Sequence, residues 1–261
     1  MFKYPRTKHV RGSRLQHGDH DLEDAPWSEL AGKHLVVEEK VDGANAGISF
    51  SESGELLLQS RGHYLRGGPR ERHFNLLKQW AACHQEALYC ALESRYVLYG
   101  EWMYAKHTAF YDALPHYFME FDVLDTATGD FLDTPSRRKL LAECPITPVL
   151  VLHEGPVASV DALAGMITRS NFITDGRRAN LIDSAKEAGV SEADVLLHTD
   201  LDEKMEGLYV KVEEGGKTVG RYKYVRNSFT SAILDQDEHW LARPIVPNRL
   251  LPGAFEKMFR P

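Results

Sequence analysis

An α+β domain of antiparallel sheets flanked by helices is the architecture this sequence predicts, and three observations predict it. Short runs rich in β-branched, aromatic and leucine residues are punctuated by Asp42-Gly43, Ser53-Gly54 and Gly215-Gly216, the turn chemistry of hairpins. Other stretches carry apolar residues at helical spacing. No internal repeat, low-complexity tract or Gly/Ser linker divides the chain.

The elements follow in order. Residues 3–20 show no clear period and read as a strand followed by a loop. Residues 35–40, Leu-Val-Val-Glu-Glu-Lys, read as a strand that ends in a turn at Asp42-Gly43. Residues 46–50 and 56–60 read as a hairpin around Ser53-Gly54. Phe74, Leu77, Trp80, Ala81, Leu88 and Leu92 fall at helical spacing, so 73–94 reads as one helix. Residues 96–102 and 117–124 read as strands. Thr134-Pro135-Ser136 opens a short helix through Leu141, with proline tolerated at its start. Helices are expected over 158–168 and 181–188. Residues 207–212 and 218–225 form a hairpin across Glu214-Gly215-Gly216.

Bulk properties exclude several classes. With 261 residues, 43% hydrophobic and 26% charged, the chain has the make-up of an ordinary globular protein. No apolar run approaches the roughly 20 residues that cross a bilayer, so no membrane span is expected. The basic N-terminus lacks the apolar core of a secretory signal. Three cysteines are too few and too scattered for a disulfide framework or a zinc site, and a reducing cytoplasmic setting fits them. Cys83 and Cys90, a heptad apart, are expected as buried core thiols. The net charge of −7 weighs against coating nucleic acid by bulk charge. Local basic clusters at 3–14, 61–72, 137–139 and 221–226 nonetheless fit a substrate channel. Acidic residues gather elsewhere, at 19–29 and 200–206.

The segment Glu38-Glu39-Lys40-Val41-Asp42-Gly43 carries the chemistry. A lysine at the end of a buried strand, before an Asp-Gly turn, is held at the mouth of a cleft. It becomes a nucleophile only as a neutral amine, so its pKa of about 10.4 has to be depressed by desolvation or nearby cations. Gly43 lets the turn form and lets a ligand approach the backbone. Alone, the pattern fits a surface lysine in a hairpin turn equally well. Five companions in fixed order make it specific: Ser60-Arg61-Gly62, Tyr99-Gly100-Glu101-Trp102, Met119-Glu120-Phe121-Asp122, Glu206-Gly207-Leu208-Tyr209-Val210-Lys211 and Arg221-Tyr222-Lys223-Tyr224-Val225-Arg226.

With these six motifs the sequence resembles the covalent nucleotidyltransferases, the ATP-dependent ligases and mRNA-capping enzymes. It is most similar to the RNA ligase branch typified by the second RNA ligase of T4-like phages, from about Tyr4 to Phe229. The resemblance implies an ATP-grasp-like nucleotidyltransferase domain. It implies that Lys40 attacks the α-phosphate of ATP. Glu39 then lies near the adenine edge, Arg61 on the ribose or phosphates, and Glu101 on the ribose hydroxyls. Phe121 stacks on the purine, while Asp42, Gly43 and Lys211 complete the nucleotide site. Glu206 serves the metal or the lysine. Lys223 and Arg226 hold the phosphates and, with Lys40, make up the catalytic set.

The implied cofactors are ATP and Mg2+ or Mn2+. The implied partner is RNA with 5′-phosphate and 3′-hydroxyl ends, helped by an end-healing kinase or phosphatase or by a separate substrate-binding protein. DNA ligation, GTP-dependent capping or a non-catalytic nucleic-acid-binding module on the same scaffold are the alternatives. Two departures bear on them. Asp42 stands where many phage-type enzymes carry His, closer to the DNA ligase and capping pattern. Arg226 stands where a second lysine is usual. The catalytic domain is expected over 1–229. Residues 230–261, with Trp240, form a short extension without a full OB-fold or helical appendage. The basic start at 4–9 resembles the family's opening segment and has two readings: a segment that lines the site once the chain folds back, or an ordered terminal strand with no catalytic role. His107 and His116 match no metal-ligand spacing and are read as loop or channel residues.

Overall fold

The computed structural model describes residues 1–15, 24–229 and 244–260. Among them eleven strands belong to one mixed, mainly antiparallel sheet. Strand β1 (Lys8–His9) lies parallel to β11 (Lys217–Val225), which pairs antiparallel with β10 (Gly207–Glu214). Strand β10 pairs with β2 (Leu35–Lys40), and β2 with β9 (Val151–Gly155). On the other side of β11, β7 (Asp130–Leu132) leads to β6 (Phe118–Asp125) and β5 (Tyr96–Trp102). Strands β3 (Ala44–Phe50) and β4 (Leu56–Ser60) complete that edge.

A short β8 (Thr147–Pro148) runs parallel to β6 just before the chain enters β9. The link between them donates from Val149 N–H to Glu120 O at 2.7 Å, and Leu150 O accepts from Glu39 N–H at 3.0 Å. This link closes β6, β7, β11, β10 and β2 into a ring of strands. A large antiparallel sheet in a mixed α/β chain agrees with the sequence reading, but the strands form one sheet, with two short parallel pairings. The short pieces β7, β8, β9, α6 (Glu192–Leu197) and α7 (Ala254–Met258) went unread, because two to six residues carry too little period to stand out.

The helix expected over 73–94 is two helices, α1 (Asn75–Cys83) and α2 (Gln85–Leu92), broken at His84. His84 is buried against Trp80, and its Nε2 meets Met258 O at 2.5 Å. Leu77, Trp80, Ala81, Leu88 and Leu92 face the core, whereas Cys83 and Cys90 are exposed. The expectation of buried thiols is therefore wrong: the cysteines lie off the apolar stripe. Asp133 caps α3 (Thr134–Leu140), accepting from Ser136 N–H at 2.9 Å. Helix α4 (Val160–Ala164) is shorter than expected, and α5 (Arg177–Glu187) starts four residues earlier. The expected strand and loop at 3–20 reduces to β1 and a turn, and residues 16–23 lie outside the described residues, as does Trp240.

His116 is buried against Trp80, with ring centroids 5.0 Å apart, and its Nδ1 accepts from Phe118 N–H at 2.8 Å. Burial pushes its pKa down to about 4 from 6.5. Between those values the unfolded chain holds more protons than the folded one. Its contribution is therefore complete above pH 6.5 and is lost as pH falls through about 4, by up to about 3 kcal/mol. Urea unfolding across this range should show stability declining on acidification, with a shallower decline in His116→Gln. An identical slope in the variant would mean His116 does not contribute.

Candidate active site

A cleft of about 1090 Å³ opens where the ends of β2, β3 and β5 meet the middle of β6, β10 and β11. This is slightly above the roughly 300–1,000 Å³ usual for ligand pockets. Strand alternation decides what faces it. Leu35 and Val37 point into an apolar cluster with Leu208, Val210 and Val212. Glu38 and Lys40 therefore take the other face, together with Tyr209 and Lys211 of β10 and Lys223 of β11.

Lys40 ends β2 at the cleft mouth, its Nζ 2.7 Å from Glu206 Oε1. The amine retains 20% side-chain exposure, while the Glu206 side chain has none. Burial pulls the Lys40 pKa down, but Glu206 and Glu101 push it up, and the net shift is upward. Desolvation acts downward as expected, but the neighbours expected to be cations are carboxylates, and they reverse the net shift. They hold the lysine as an ammonium.

Glu101, at the end of β5, accepts from Gly43 N–H at 3.2 Å. Burial raises its pKa, Lys40 opposes, and Asp42 and Glu206 add to the rise, bringing it to about 7. Gly43 has no room for a side chain: a Cβ would sit 2.7 Å from Met103 Sδ and 2.8 Å from Trp102 O. The small residue is required here by packing against the end of β5.

Phe121 lies half-buried in the cleft wall, edge-on to Tyr4 at 5.2 Å and tilted to Tyr209 at 6.0 Å. The N-terminal segment folds back across this end. Phe2 O accepts from Gln59 Nε2 at 2.7 Å and from Tyr99 OH at 2.8 Å, and Tyr4 OH donates to Asp122 Oδ2 at 2.5 Å. Tyr4 and Thr7 line the cleft, as do Arg61 at its exposed rim and Lys223.

Four of the residues singled out from sequence are engaged by protein partners, although Glu39 and Asp42 also line the cleft. Glu39 borders the cleft, but its carboxylate lies on the opposite face of β2. There it accepts from Ser170 Oγ at 2.5 Å and from Asn171 N–H and Nδ2 at 3.1 and 2.8 Å. Asp42 ties down a loop: its Oδ2 accepts from Thr108 and Ala109 N–H at 2.7 and 2.8 Å. Lys211 is 1% exposed and sealed below the cleft floor, 2.9 Å from Glu38 Oε2 and 3.2 Å from Asp122 Oδ1. Arg226 pairs with Asp200 and with Asp202 at 3.2 Å, and its Nε donates to Met205 O. Each has charged or hydrogen-bonding groups taken up by protein partners.

His107, read as a loop or channel residue, does line the cleft. Sequence reasoning missed Tyr209 and His73, which line it too. Tyr209 lay inside a recognised motif, but His73 sits in a 3-10 segment with no spacing to flag it. Arg137, read as part of a basic channel, is 2% exposed and donates to Glu38 at 2.8 Å, Glu120 at 2.9 Å and Phe121 O. Its spacing from Thr134, also buried on α3, is the signal that could have found it.

A model of the RNA ligase family matches residues 33–225, from β2 through the end of β11. The chain belongs to the RNA ligase family. No curated protein matches it. Among solved structures, this family member is similar to a Naegleria gruberi RNA ligase variant with AMP and Mn, at TM-score 0.51 and 14% identity over 87% of this chain and 56% of that one. A second Naegleria gruberi variant with AMP and Mn gives TM-score 0.51 and 16% identity over 77% and 52%. Both likenesses concern the fold, and the chain spans about half the length of those proteins. No described helix is long and apolar enough to cross a membrane.

Proposed function

We propose that this RNA ligase family member is an ATP-dependent enzyme that seals 3′-hydroxyl to 5′-phosphate RNA ends through a lysyl-AMP intermediate on Lys40. The observation that carries the proposal is the position of one amine: Lys40 Nζ stands at the cleft mouth, 2.7 Å from a buried carboxylate, with Phe121 and Lys223 lining the same cleft. In the first step the Lys40 nitrogen forms a bond to the α-phosphorus and the bond to the pyrophosphate oxygen breaks. Phe121 offers a ring for the purine, Lys223 a cation for the phosphates, and Arg61 a second cation at the rim. AMP then passes to a 5′-phosphate. A 3′-hydroxyl displaces it in the last step.

The donor set fits a divalent cation, Mg2+ or Mn2+. Glu206 and Glu101 lie beside Lys40, and among the described residues no group of three His, Cys, Asp or Glu forms a cage. One or two carboxylates plus phosphate oxygens is how magnesium is commonly held. A cation on these carboxylates would weaken their hold on the ammonium and so favour the neutral amine. The solved Naegleria relatives, with AMP and Mn, support the same reading.

The order of the six motifs supports an ATP-grasp-like nucleotidyltransferase over 1–229 and the branch of the second RNA ligase of T4-like phages. On this reading 230–261 is a short C-terminal extension, and the partner is an end-healing kinase or phosphatase or a separate substrate-binding protein. The test is incubation with α-labelled ATP or GTP and a divalent cation, then nicked duplexes of RNA, DNA and mixed strands. Covalent label from ATP, and sealing of RNA in preference to DNA, are expected. Label from GTP alone, or from neither nucleotide, would overturn the proposal.

Phe121→Leu should raise the ATP Kd about 5-fold or more, since a base stacked on an aromatic ring is worth roughly 1–3 kcal/mol. Calorimetric titration beside a thermal melt checks this. Unchanged affinity with a lowered melting point would return Phe121 to a packing role.

A further inference from the structure

The turn that carries Lys40 is held from outside by a loop, and that loop is clasped by the C-terminal segment. Asp42 Oδ2 accepts from Thr108 and Ala109 N–H, and Asp42 N–H donates to Tyr111 OH at 2.9 Å. Met103 Sδ fills the space beside Gly43. The loop from Met103 to Tyr111 thus brackets both residues of the turn.

Asn248 joins the two ends of that bracket. Its Nδ2 donates to Met103 O at 2.7 Å, and its Oδ1 accepts from Tyr111 N–H at 2.9 Å. Its backbone donates to Tyr104 O at 2.9 Å and accepts from Tyr117 OH at 2.8 Å. The side chain is 1% exposed. Neighbouring residues continue the seam, with Lys106 N–H to Val246 O at 2.8 Å and Arg249 N–H to Tyr111 O at 2.9 Å. An amide that offers both a donor and an acceptor can close such a bracket; a carboxylate or a hydrocarbon cannot satisfy both ends.

We propose that Asn248 is a positioning residue for Lys40, acting through Tyr111 and Asp42. The inference rests on the adenylylation reading of Lys40. In-line attack on phosphorus is sensitive to placement, and a shift of about 1 Å in a reacting group can cost about 100-fold. Asn248 does not line the cleft. Its loss should slow the chemical step and leave ATP binding almost untouched.

The test is single-turnover labelling of the full chain with α-labelled ATP, reading rate constant and amplitude separately. Amplitude reports the folded fraction, and the rate constant reports the geometry of the amine. Asn248→Ala should lower the rate constant at saturating ATP about 10- to 100-fold, with the ATP Kd changed less than about 2-fold. Tyr111→Phe keeps the ring and both Asn248 bonds but removes the acceptor for Asp42 N–H, and should also slow the step. The double variant should be little slower than Asn248→Ala, because both act on one path.

Three results would overturn the inference alone: a wild-type rate constant in Asn248→Ala with only amplitude or melting point lowered, independent multiplication of the two effects, or a wild-type rate constant in Tyr111→Phe. The last decides the matter even if Asn248→Ala does not fold. Absence of label on the wild-type chain would instead overturn the adenylylation reading, and this inference with it.

Discussion

Lys40→Ala is expected to abolish covalent labelling by α-labelled ATP, a loss of at least about 10⁴-fold, on the scale seen when a nucleophile is removed from an enzyme. Lys211 does not replace it, being sealed against Glu38 and Asp122, and Lys223 in the same cleft is the cation for the phosphates in the proposed mechanism. Alanine also leaves Glu206 buried without its ammonium, which should cost about 1–3 kcal/mol. Lys40→Arg separates the two effects. A guanidinium keeps the ion pair with Glu206 but does not become a neutral nucleophile, so this variant should fold well and take no label. Gel autoradiography beside thermal melts checks both. Label persisting on either variant would mean that the covalent site lies elsewhere.

The largest stability effect is expected at Arg137. Its guanidinium links Glu38 of β2 to Glu120 of β6 across the ring of strands and also donates to Phe121 O. Burial raises the pKa of Glu120, and Arg137 and Lys211 oppose that rise. Arg137→Ala takes from Glu120 its ion-pair partner and leaves Glu38 with Lys211, which also serves Asp122. Breaking a buried pair in this way costs about 3–5 kcal/mol, or on the order of 10 °C in Tm for a chain of this size. Arg137→Lys should lose part of that, because a single ammonium cannot span both carboxylates. Scanning calorimetry decides the matter, and a change under about 1 kcal/mol for Arg137→Ala would show that the network does not hold the ring together.

Much of the fold was legible because it is locally encoded. The bounds of β2, β4 and β5 follow from runs of β-formers ended by turn residues. The residues of the cleft were legible because they fall in motifs on those strands: Lys40, Glu101, Phe121 and Lys223 each end on the cleft side or beside it. The short strands β7, β8 and β9 were not legible. They exist because longer neighbours offer them unpaired backbone, which no local pattern announces.

Charge was the harder matter. Lys211, Arg137 and Arg226 look in sequence like residues awaiting phosphate. In the folded chain each lies against carboxylates from distant segments: Glu38 and Asp122 for Lys211, Glu38 and Glu120 for Arg137, Asp200 and Asp202 for Arg226. The same holds in reverse for Lys40, whose surroundings are acidic.

The sequence by itself determined the longer strands and that one lysine stands where a strand stops, since alternation and turn chemistry act between near neighbours. Only the tertiary structure decided which charges are spent inside the protein and which face the cleft. A side chain's partner is set by what the sheet brings within a few ångströms, and the sheet brings together residues more than a hundred positions apart.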